Sequence, residues 1–175
     1  MAGLHDDLFS FVRSVTDFPI PGVTFRDLTP LMADPPALGR AVSALADPFR
    51  TAGIARVAGV EARGFIFGAL VARELAAGFV PLRKPGKLPA GVEAVSYALE
   101  YGTASLEIHR DALPAGARVL LVDDVLATGG TAAAAVELLA RVGGVVAGAA
   151  FLLELPALLG RERIPGCDVR SVLRI

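Results

Sequence analysis

Hydrophobic positions in this sequence fall into short runs typical of buried strands, separated by stretches of helical length. The strand-like runs are residues 56–60, 79–82, 119–122 and 145–153. The helical stretches are 35 to about 49, 64 to about 77, and 131 to about 142. Asp34 followed by Pro35 is typical of an N-cap with proline at the first helical position. Strands that alternate with helices predict a mostly parallel α/β sheet flanked by helices, with ligands at its carboxyl edge.

The helix predicted over residues 64–77 contains few polar residues, so we expect it to be buried against the sheet. Residues 83–105 interrupt the alternation of strands and helices. The segment RKPGKLP at residues 83–89 holds three cations and two prolines, which favours an extended, exposed conformation. It is either a solvated charged hairpin or a mobile lid that brings positive charge to a phosphate group, and we favour the lid.

Composition restricts the class of protein. A chain of 175 residues is expected to form one domain, 1–175. Residues are 54% hydrophobic, but the longest weakly polar stretch, 142–153, falls short of the roughly 20 residues that span a bilayer. The first residues do not resemble a signal peptide, so we expect a soluble, cytoplasmic protein without a membrane partner. The net charge of −1 argues against sequence-independent nucleic-acid binding.

The single cysteine, Cys167, permits no intramolecular disulfide and is interpreted as a small buried residue. His5 and His109 have no metal-ligand spacing with it or with each other, so no protein-held metal site is predicted.

The strongest chemical signal lies in residues 118–131, where a strand runs into two acids and then a turn of small residues before a helix. Backbone N–H groups that converge at a helix N-terminus bind phosphate well, because the unpaired amides and the helix dipole both favour negative charge. The residues suited to this are Ala127, Thr128, Gly129, Gly130 and Thr131. Asp123 and Asp124 would accept hydrogen bonds from ribose hydroxyls. The combination predicts a site for a ribose 5-phosphate.

A plainer alternative is that an Asp only caps the helix and the glycines only relieve steric strain. A cap needs one side chain, however, whereas this segment combines a β-rich run, paired acids, TGGT and an immediate helix-forming stretch. The chain contains neither G-x-x-x-x-G-K-[ST] nor G-x-G-x-x-G, which removes the main support for a nucleotide triphosphatase or a dinucleotide oxidoreductase.

Five stretches together resemble the type I purine phosphoribosyltransferase family, and within it the adenine-specific members. They are 18–27 (FPIPGVTFRD), 61–68 (EARGFIFG), 83–89 (RKPGKLP), 99–102 (LEYG) and 122–131 (VDDVLATGGT). The resemblance implies the type I phosphoribosyltransferase fold with a β-hairpin lid at 83–105. It also implies transfer of ribose 5-phosphate from 5-phosphoribosyl-1-pyrophosphate (PRPP) to N9 of adenine, giving AMP and pyrophosphate in purine salvage. Mg²⁺ would be carried by PRPP.

The resemblance also assigns roles within the PRPP site. The loop from Ala127 to Thr131 would hold the 5′-phosphate, and Asp123 and Asp124 the ribose hydroxyls. The groups expected to meet the pyrophosphate are Arg63, Arg83, Lys84 and Lys87. The peptide before the arginine, Glu61-Ala62, would be cis.

For the base, the resemblance places adenine between Phe25 and Val125, with backbone groups of Thr24 and Arg26 on its edge. A larger aliphatic residue is commoner in the family at the position of Val125. Glu100 would manage the proton on the imidazole ring of adenine, and Tyr101 would cover the site. A homodimer is implied, with Arg83 near the partner's active site.

Two alternatives remain at this stage. One is another phosphoribosyltransferase that uses a 6-oxopurine or a pyrimidine. The other is a regulatory protein that keeps the PRPP pocket as a sensor without catalysis. The sensor would be expected to lose the lid cations or to carry a DNA-binding segment, and the sequence shows neither.

Overall fold

A parallel sheet of five strands forms the centre of the protein. The computed structural model describes residues 3–98 and 103–175. Its strands are β1 (Arg13–Val15), β2 (Phe25–Asp27), β3 (Arg56–Val60), β4 (Gly78–Leu82), β5 (Val92–Ala98), β6 (Thr103–His109), β7 (Arg118–Leu126), β8 (Val145–Glu154) and β9 (Val169–Arg174). The central sheet has the order β4-β3-β7-β8-β9, and all its neighbouring strands are parallel. The predicted α/β class is confirmed.

Helices cover both faces of this sheet. They are α1 (Leu4–Phe9), α2 (Thr29–Ala33), α3 (Pro35–Ala46), α4 (Arg63–Glu74) and α5 (Gly130–Arg141), with 3-10 turns at Asp47–Phe49, Pro156–Leu158 and Gly160–Arg163. Because successive side chains of a strand point to opposite faces, β7 contributes to two cores. Val119 and Leu121 belong to the core with α5, and Leu120 and Val122 to the core with α3 and α4.

Most of the predicted elements are found, with small differences at their ends. The side chain of Asp34 accepts a hydrogen bond from the N–H of Ala37 and caps α3 as expected. Helix α4 ends at Glu74, a few residues before the predicted end. Strand β7 continues to Leu126, because its pairing with β8 extends past the acids. The predicted end of this strand at residue 122 is therefore wrong.

The sequence analysis missed three of the strands. β1 and β2 form a separate antiparallel ribbon of three residues each, which is too short to show an alternation. β9 closes the sheet beside β8. None of the described helices has the length and apolar character needed to cross a membrane.

The predicted hairpin is present as the antiparallel pair β5 and β6. Its arms belong to the core with α5, because Val95 is only 4% exposed and Leu106 and Ile108 are also buried. Segment 83–89 is fixed to the hairpin: the N–H of Gly86 donates to Glu107, and His109 contacts the carbonyl of Pro89. The predicted lid, 83–105, thus combines a packed arm with an exposed segment.

Candidate active site

The candidate site lies at the carboxyl edge of the sheet, where β7 extends beyond β3. Pairing between these strands stops at Gly59 and Val122, whereas β7 stays paired to β8 as far as Leu126. Asp123 and Asp124 follow the last residue of β7 that pairs with β3, so at these acids that edge of β7 has no strand partner among the described residues and can face a ligand. The acids lie within the strand rather than after it, but they are at the sheet edge where parallel sheets bind ligands.

A cavity of about 720 Å³ opens beside the two acids. Five of the predicted site residues line it, namely Arg63, Lys84, Asp123, Asp124 and Thr131. A second cavity of about 80 Å³ adjoins the first, sharing Asp123 and Thr131, and is lined by the loop from Ala127 to Thr131. The structure therefore brings the predicted carboxylates and the predicted phosphate loop together around two adjoining cavities.

The two carboxylates have different electrostatic surroundings. Asp124 is 6% exposed, and its Oδ2 lies 2.5 Å from Nε of Arg63. This oxygen accepts no well-aligned hydrogen bond within residues 3–98 and 103–175, so it has acceptor capacity for a ligand hydroxyl. Burial, and then the charge of neighbouring Asp124, raise the pKa of Asp123 well above its usual value. Asp123 will therefore ionise more readily once a ligand supplies donors or positive charge.

The N-terminus of α4 lies directly against Asp123. A Cβ atom at Gly64 would stand 2.6 Å from Oδ1 of Asp123 and 3.1 Å from the carbonyl oxygen of Val122, so only glycine allows this approach. The approach places the positive end of the helix dipole near the carboxylate. Sequence reasoning assigned no role to Gly64, although the residue lies in the EARGFIFG stretch. The peptide between Glu61 and Ala62 is cis, as the resemblance implies.

The loop from Ala127 to Thr131 leads into α5, which begins at Gly130, one residue before the predicted start. Gly129 has φ of 79°, a left-handed conformation that glycine adopts without strain. The first N–H groups of a helix lack intrahelical partners and can point at an anion. Thr131 donates its hydroxyl to the Oη of Tyr97 over 3.2 Å, which links the loop to the hairpin. Tyr97 was missed because this contact joins residues distant in sequence.

Only one of the three predicted lid cations faces the large cavity. Lys84 lines it, whereas Arg83 and Lys87 do not. Arg83 donates from Nε to Glu61 over 3.1 Å and from its terminal nitrogen to the carbonyl of Lys87 over 2.8 Å. The hydrogen bond from Arg83 holds the pKa of Glu61 below its usual value. The pyrophosphate roles of Arg83 and Lys87 remain predictions.

The predicted base-binding residues are connected to the cavity through Arg63. Its guanidinium carbon lies 5.5 Å from the ring centroid of Phe25, while its Nε contacts Asp124. Thr24, Phe25 and Arg26 do not line the large cavity, and Val125 lines the small one. Glu100 and Tyr101 lie outside the described residues. Of the predicted adenine-binding residues, the structure thus connects Phe25 to the carboxylates through Arg63, but it does not bring all of them to the cavity.

The remaining candidates for chemistry lie elsewhere. Cys167 is half-buried rather than fully buried, and burial raises the pKa of its thiol. Among residues 3–98 and 103–175, no group of three or more His, Cys, Asp or Glu side chains is arranged to hold a metal ion.

Comparison with known proteins gives a consistent result. A family model described as a phosphoribosyl transferase domain matches residues 36–172. The adenine phosphoribosyltransferase of Methylococcus capsulatus is 57% identical over 168 residues, covering 96% of this chain and 98% of that one. The enzyme of that name from Thermobifida fusca is 57% identical over 165 residues, covering 94% of each.

Solved structures match over the full length as well. Adenine phosphoribosyltransferase from Thermoanaerobacter pseudethanolicus superposes with a TM-score of 0.95 at 44% identity, covering 99% of this chain and 100% of that one. The yeast enzyme, from Saccharomyces cerevisiae, has a TM-score of 0.93 at 36% identity with the same coverage. It was solved in complex with an iminoaltritol bisphosphate and adenine.

Proposed function

Since this chain belongs to the adenine phosphoribosyltransferase family, we propose that its site transfers ribose 5-phosphate from PRPP to N9 of adenine, giving AMP and pyrophosphate. The observation that carries the proposal is the pair of adjoining cavities at the sheet edge. On one side lies the carboxylate pair, in which Asp124 is buried and Asp123 half-buried, and on the other the loop 127–131 at a helix N-terminus. The spacing suits one ligand that carries both hydroxyls and a phosphate.

The reaction breaks the bond between C1′ of the ribose and pyrophosphate, so the sugar gains cationic character while negative charge grows on the leaving group. Position and charge are the means of catalysis in such a reaction. Asp123 and Asp124 hold the ribose hydroxyls and favour the developing positive charge. Arg63 and Lys84, which face the same cavity, neutralise the pyrophosphate.

Arg63 links the two substrates in this proposal. In the free protein its guanidinium contacts both Asp124 and the ring of Phe25. Pyrophosphate offers it a stronger partner than one carboxylate, since a multiply charged phosphate makes charge-assisted hydrogen bonds to a guanidinium. Movement of Arg63 toward pyrophosphate would leave the face of Phe25 open to adenine and the buried oxygen of Asp124 open to a ribose hydroxyl.

We propose that Mg²⁺ enters with PRPP. Mg²⁺ prefers hard oxygen ligands, keeps several waters, and is often bound through substrate phosphates, which suits an ion that PRPP carries into the site without a direct protein ligand. When bound, the ion would neutralise charge on the diphosphate. The proton lost from the imidazole ring of adenine is assigned to Glu100, and coverage of the site to Tyr101, on the family resemblance.

The two alternatives are not favoured. The relatives that match at 52–57% identity over nearly their whole length are adenine phosphoribosyltransferases, which argues against a 6-oxopurine or pyrimidine enzyme. The carboxylate pair, Arg63 and Lys84 are all assembled at the cavity, which argues against a sensor without catalysis. We propose that residues 1–175 act as one domain, since both cores share the central sheet. The cytoplasmic location stays a prediction.

Release of pyrophosphate tests the class of reaction. A coupled pyrophosphate assay is run with adenine, PRPP and Mg²⁺ together, and with each omitted in turn. We expect pyrophosphate only in the complete mixture, in amounts equal to the adenine consumed. Equal release without adenine would indicate hydrolysis of PRPP and would contradict transfer.

A homodimer is expected, because α4 carries an apolar face that the described part of the chain leaves uncovered. Ile66 and Leu70 stand one turn apart on α4 and are 43% and 38% exposed. Light scattering should give twice the chain mass of 18.1 kDa. The double variant Ile66→Glu/Leu70→Glu should be monomeric, whereas Val145→Glu, at an exposed apolar residue outside this face, should stay dimeric. An active wild-type monomer at assay concentration would contradict the prediction.

Closure of the lid is proposed at its exposed segment 83–89, because the hairpin arms are packed in the core. Trypsin should cut after Lys87 quickly in the free protein and more slowly with Mg²⁺ and PRPP. A ligand at about 100 times its Kd stabilises the bound form by about 2.7 kcal/mol, enough for tenfold protection or more. Cleavage after exposed Arg50, in a turn that does not line the cavity, serves as the internal control. Equal rates after Lys87 with and without ligand would rule out closure over this bond.

A further inference from the structure

Gly129 of the phosphate loop lies against Gly160, a glycine from a distant part of the chain. A Cβ atom at Gly160 would overlap the carbonyl oxygen of Ala127 and stand 3.1 Å from the nitrogen of Gly129. A Cβ atom at Gly129 would overlap the carbonyl oxygen of Gly160 and stand 2.9 Å from Cβ of Arg163. Neither position accepts a side chain unless the backbone moves. The close packing of the 3-10 turn Gly160–Arg163 against the loop therefore requires glycine at both positions.

We propose that Gly160 is a positioning residue that sets the conformation of the 5′-phosphate loop from the side opposite the ligand. The inference rests on the proposed function, in which residues 127–131 bind the 5′-phosphate. The carbonyl of Ala127 and the N–H of Thr128 belong to one planar peptide unit. Displacement of the Ala127 oxygen therefore rotates an amide that has to point at the phosphate.

Gly160 is itself held by the residue that follows it. Arg161 donates from Nε and a terminal nitrogen to both carboxylate oxygens of Glu154, over 2.6 and 2.7 Å. Its other terminal nitrogen donates to the carbonyl of Val169 over 2.8 Å. Glu154 is the last residue of β8 and is 2% exposed. A two-point charge-assisted contact fixes orientation as well as distance, so Arg161 fixes the turn to the central sheet.

The C-terminal strand takes part in the same arrangement. Nε of Arg174, the last residue of β9, lies 3.3 Å from Oε2 of Glu154. The carbonyl of Leu126, immediately before the loop, accepts a hydrogen bond from the N–H of Leu155 over 3.0 Å. The phosphate loop is thus supported from β8 and β9 through Glu154, Arg161 and Gly160. None of these three residues lines either cavity of the active site.

The variant Gly160→Ala tests the proposal. Isothermal titration measures the affinities for ribose 5-phosphate, which carries only the 5′-phosphate group, and for pyrophosphate with Mg²⁺. We expect the affinity for ribose 5-phosphate to fall about tenfold or more, since a displacement of order 1 Å can cost up to about 10²-fold. Pyrophosphate affinity should stay within about twofold of wild type. In turnover, KM for PRPP should rise while KM for adenine is unchanged.

Gly39→Ala is the matched control, because Gly39 is exposed on α3 and a Cβ there meets nothing within 4 Å. It should bind both probes like wild type. If Gly160→Ala does not fold, Arg161→Lys takes its place, because lysine keeps the positive charge but loses the two-point contact with Glu154. This variant should lower the affinity for ribose 5-phosphate and leave the affinity for pyrophosphate unchanged. A folded variant with unchanged affinity for ribose 5-phosphate would overturn the proposal. A wild-type protein that binds neither ribose 5-phosphate nor PRPP would instead refute the proposed function.

Discussion

With PRPP saturating, the protein is expected to use adenine about 10⁴-fold more efficiently than hypoxanthine, measured as kcat/KM. Adenine presents a donor at N6 and an acceptor at N1, and hypoxanthine reverses both. The predicted partners are backbone groups of Thr24 and Arg26. Among the described residues β2 is paired to β1 on one side only. The other edge of β2, which holds Arg26 and continues from Thr24, therefore offers backbone N–H and C=O groups in fixed positions. A 6-oxopurine would leave those groups unpaired in a closed site, which is costly.

The selectivity is attributed to the backbone rather than to the stacking residues. Phe25→Leu should therefore lower kcat/KM for adenine and for hypoxanthine alike, and keep their ratio within about tenfold of wild type. Separate steady-state measurements on the two purines decide this. Comparable efficiency with both purines in the wild-type protein would contradict the assignment of the base site.

Asp124→Asn is expected to lower kcat by about 10²–10³-fold, the range found when one electrostatic contribution to a transition state is removed. The substitution keeps the shape but removes the negative charge opposite the cationic sugar. It also places an amide in front of Arg63, which contacts Oδ2 in the free protein. Asp123→Asn should act in the same direction. The midpoint of thermal unfolding should change little in either variant.

Asp168→Asn provides the control for an Asp to Asn change, since Asp168 is an exposed acid paired with Arg170 and lines neither cavity of the active site. Its kcat should equal that of wild type. If Asp123→Asn and Asp124→Asn both kept full activity, the carboxylates would have no part in catalysis and would be reduced to structural acids at the sheet edge.

The sequence predicted best what is local in the chain. Residues 122–131 carry the acids, the turn and the helix start in one continuous stretch, so their chemistry follows from their order. β3 was placed correctly because a buried strand appears in the sequence as a short run of apolar residues bounded by polar or turn-forming residues. β1 and β2 could not be recognised, because three residues show no period. The end of β7 was misplaced because it is set by pairing with β8, and the sequence of β7 alone does not report that pairing.

The support of the site depends on contacts between distant residues, which the sequence does not encode locally. The contact of Arg63 with Asp124 joins α4 to β7, and Thr131 reaches Tyr97 across to the hairpin. The sequence around Gly160 does not show why this position must be glycine, because the atom that excludes a side chain is the distant carbonyl oxygen of Ala127. Gly64 is similar, since the atoms that exclude a side chain belong to β7. Such residues become visible only once the fold brings the two segments together.

The central claim is that this site joins adenine to ribose 5-phosphate, and radiolabelled adenine tests it most directly. Wild-type protein and the double variant Asp123→Asn/Asp124→Asn are incubated with labelled adenine, PRPP and Mg²⁺, and the nucleotides are separated. We expect labelled AMP to accumulate with wild type and to be lower by at least about 10²-fold with the double variant. No labelled AMP from folded wild-type protein, or equal amounts from both proteins, would contradict the claim.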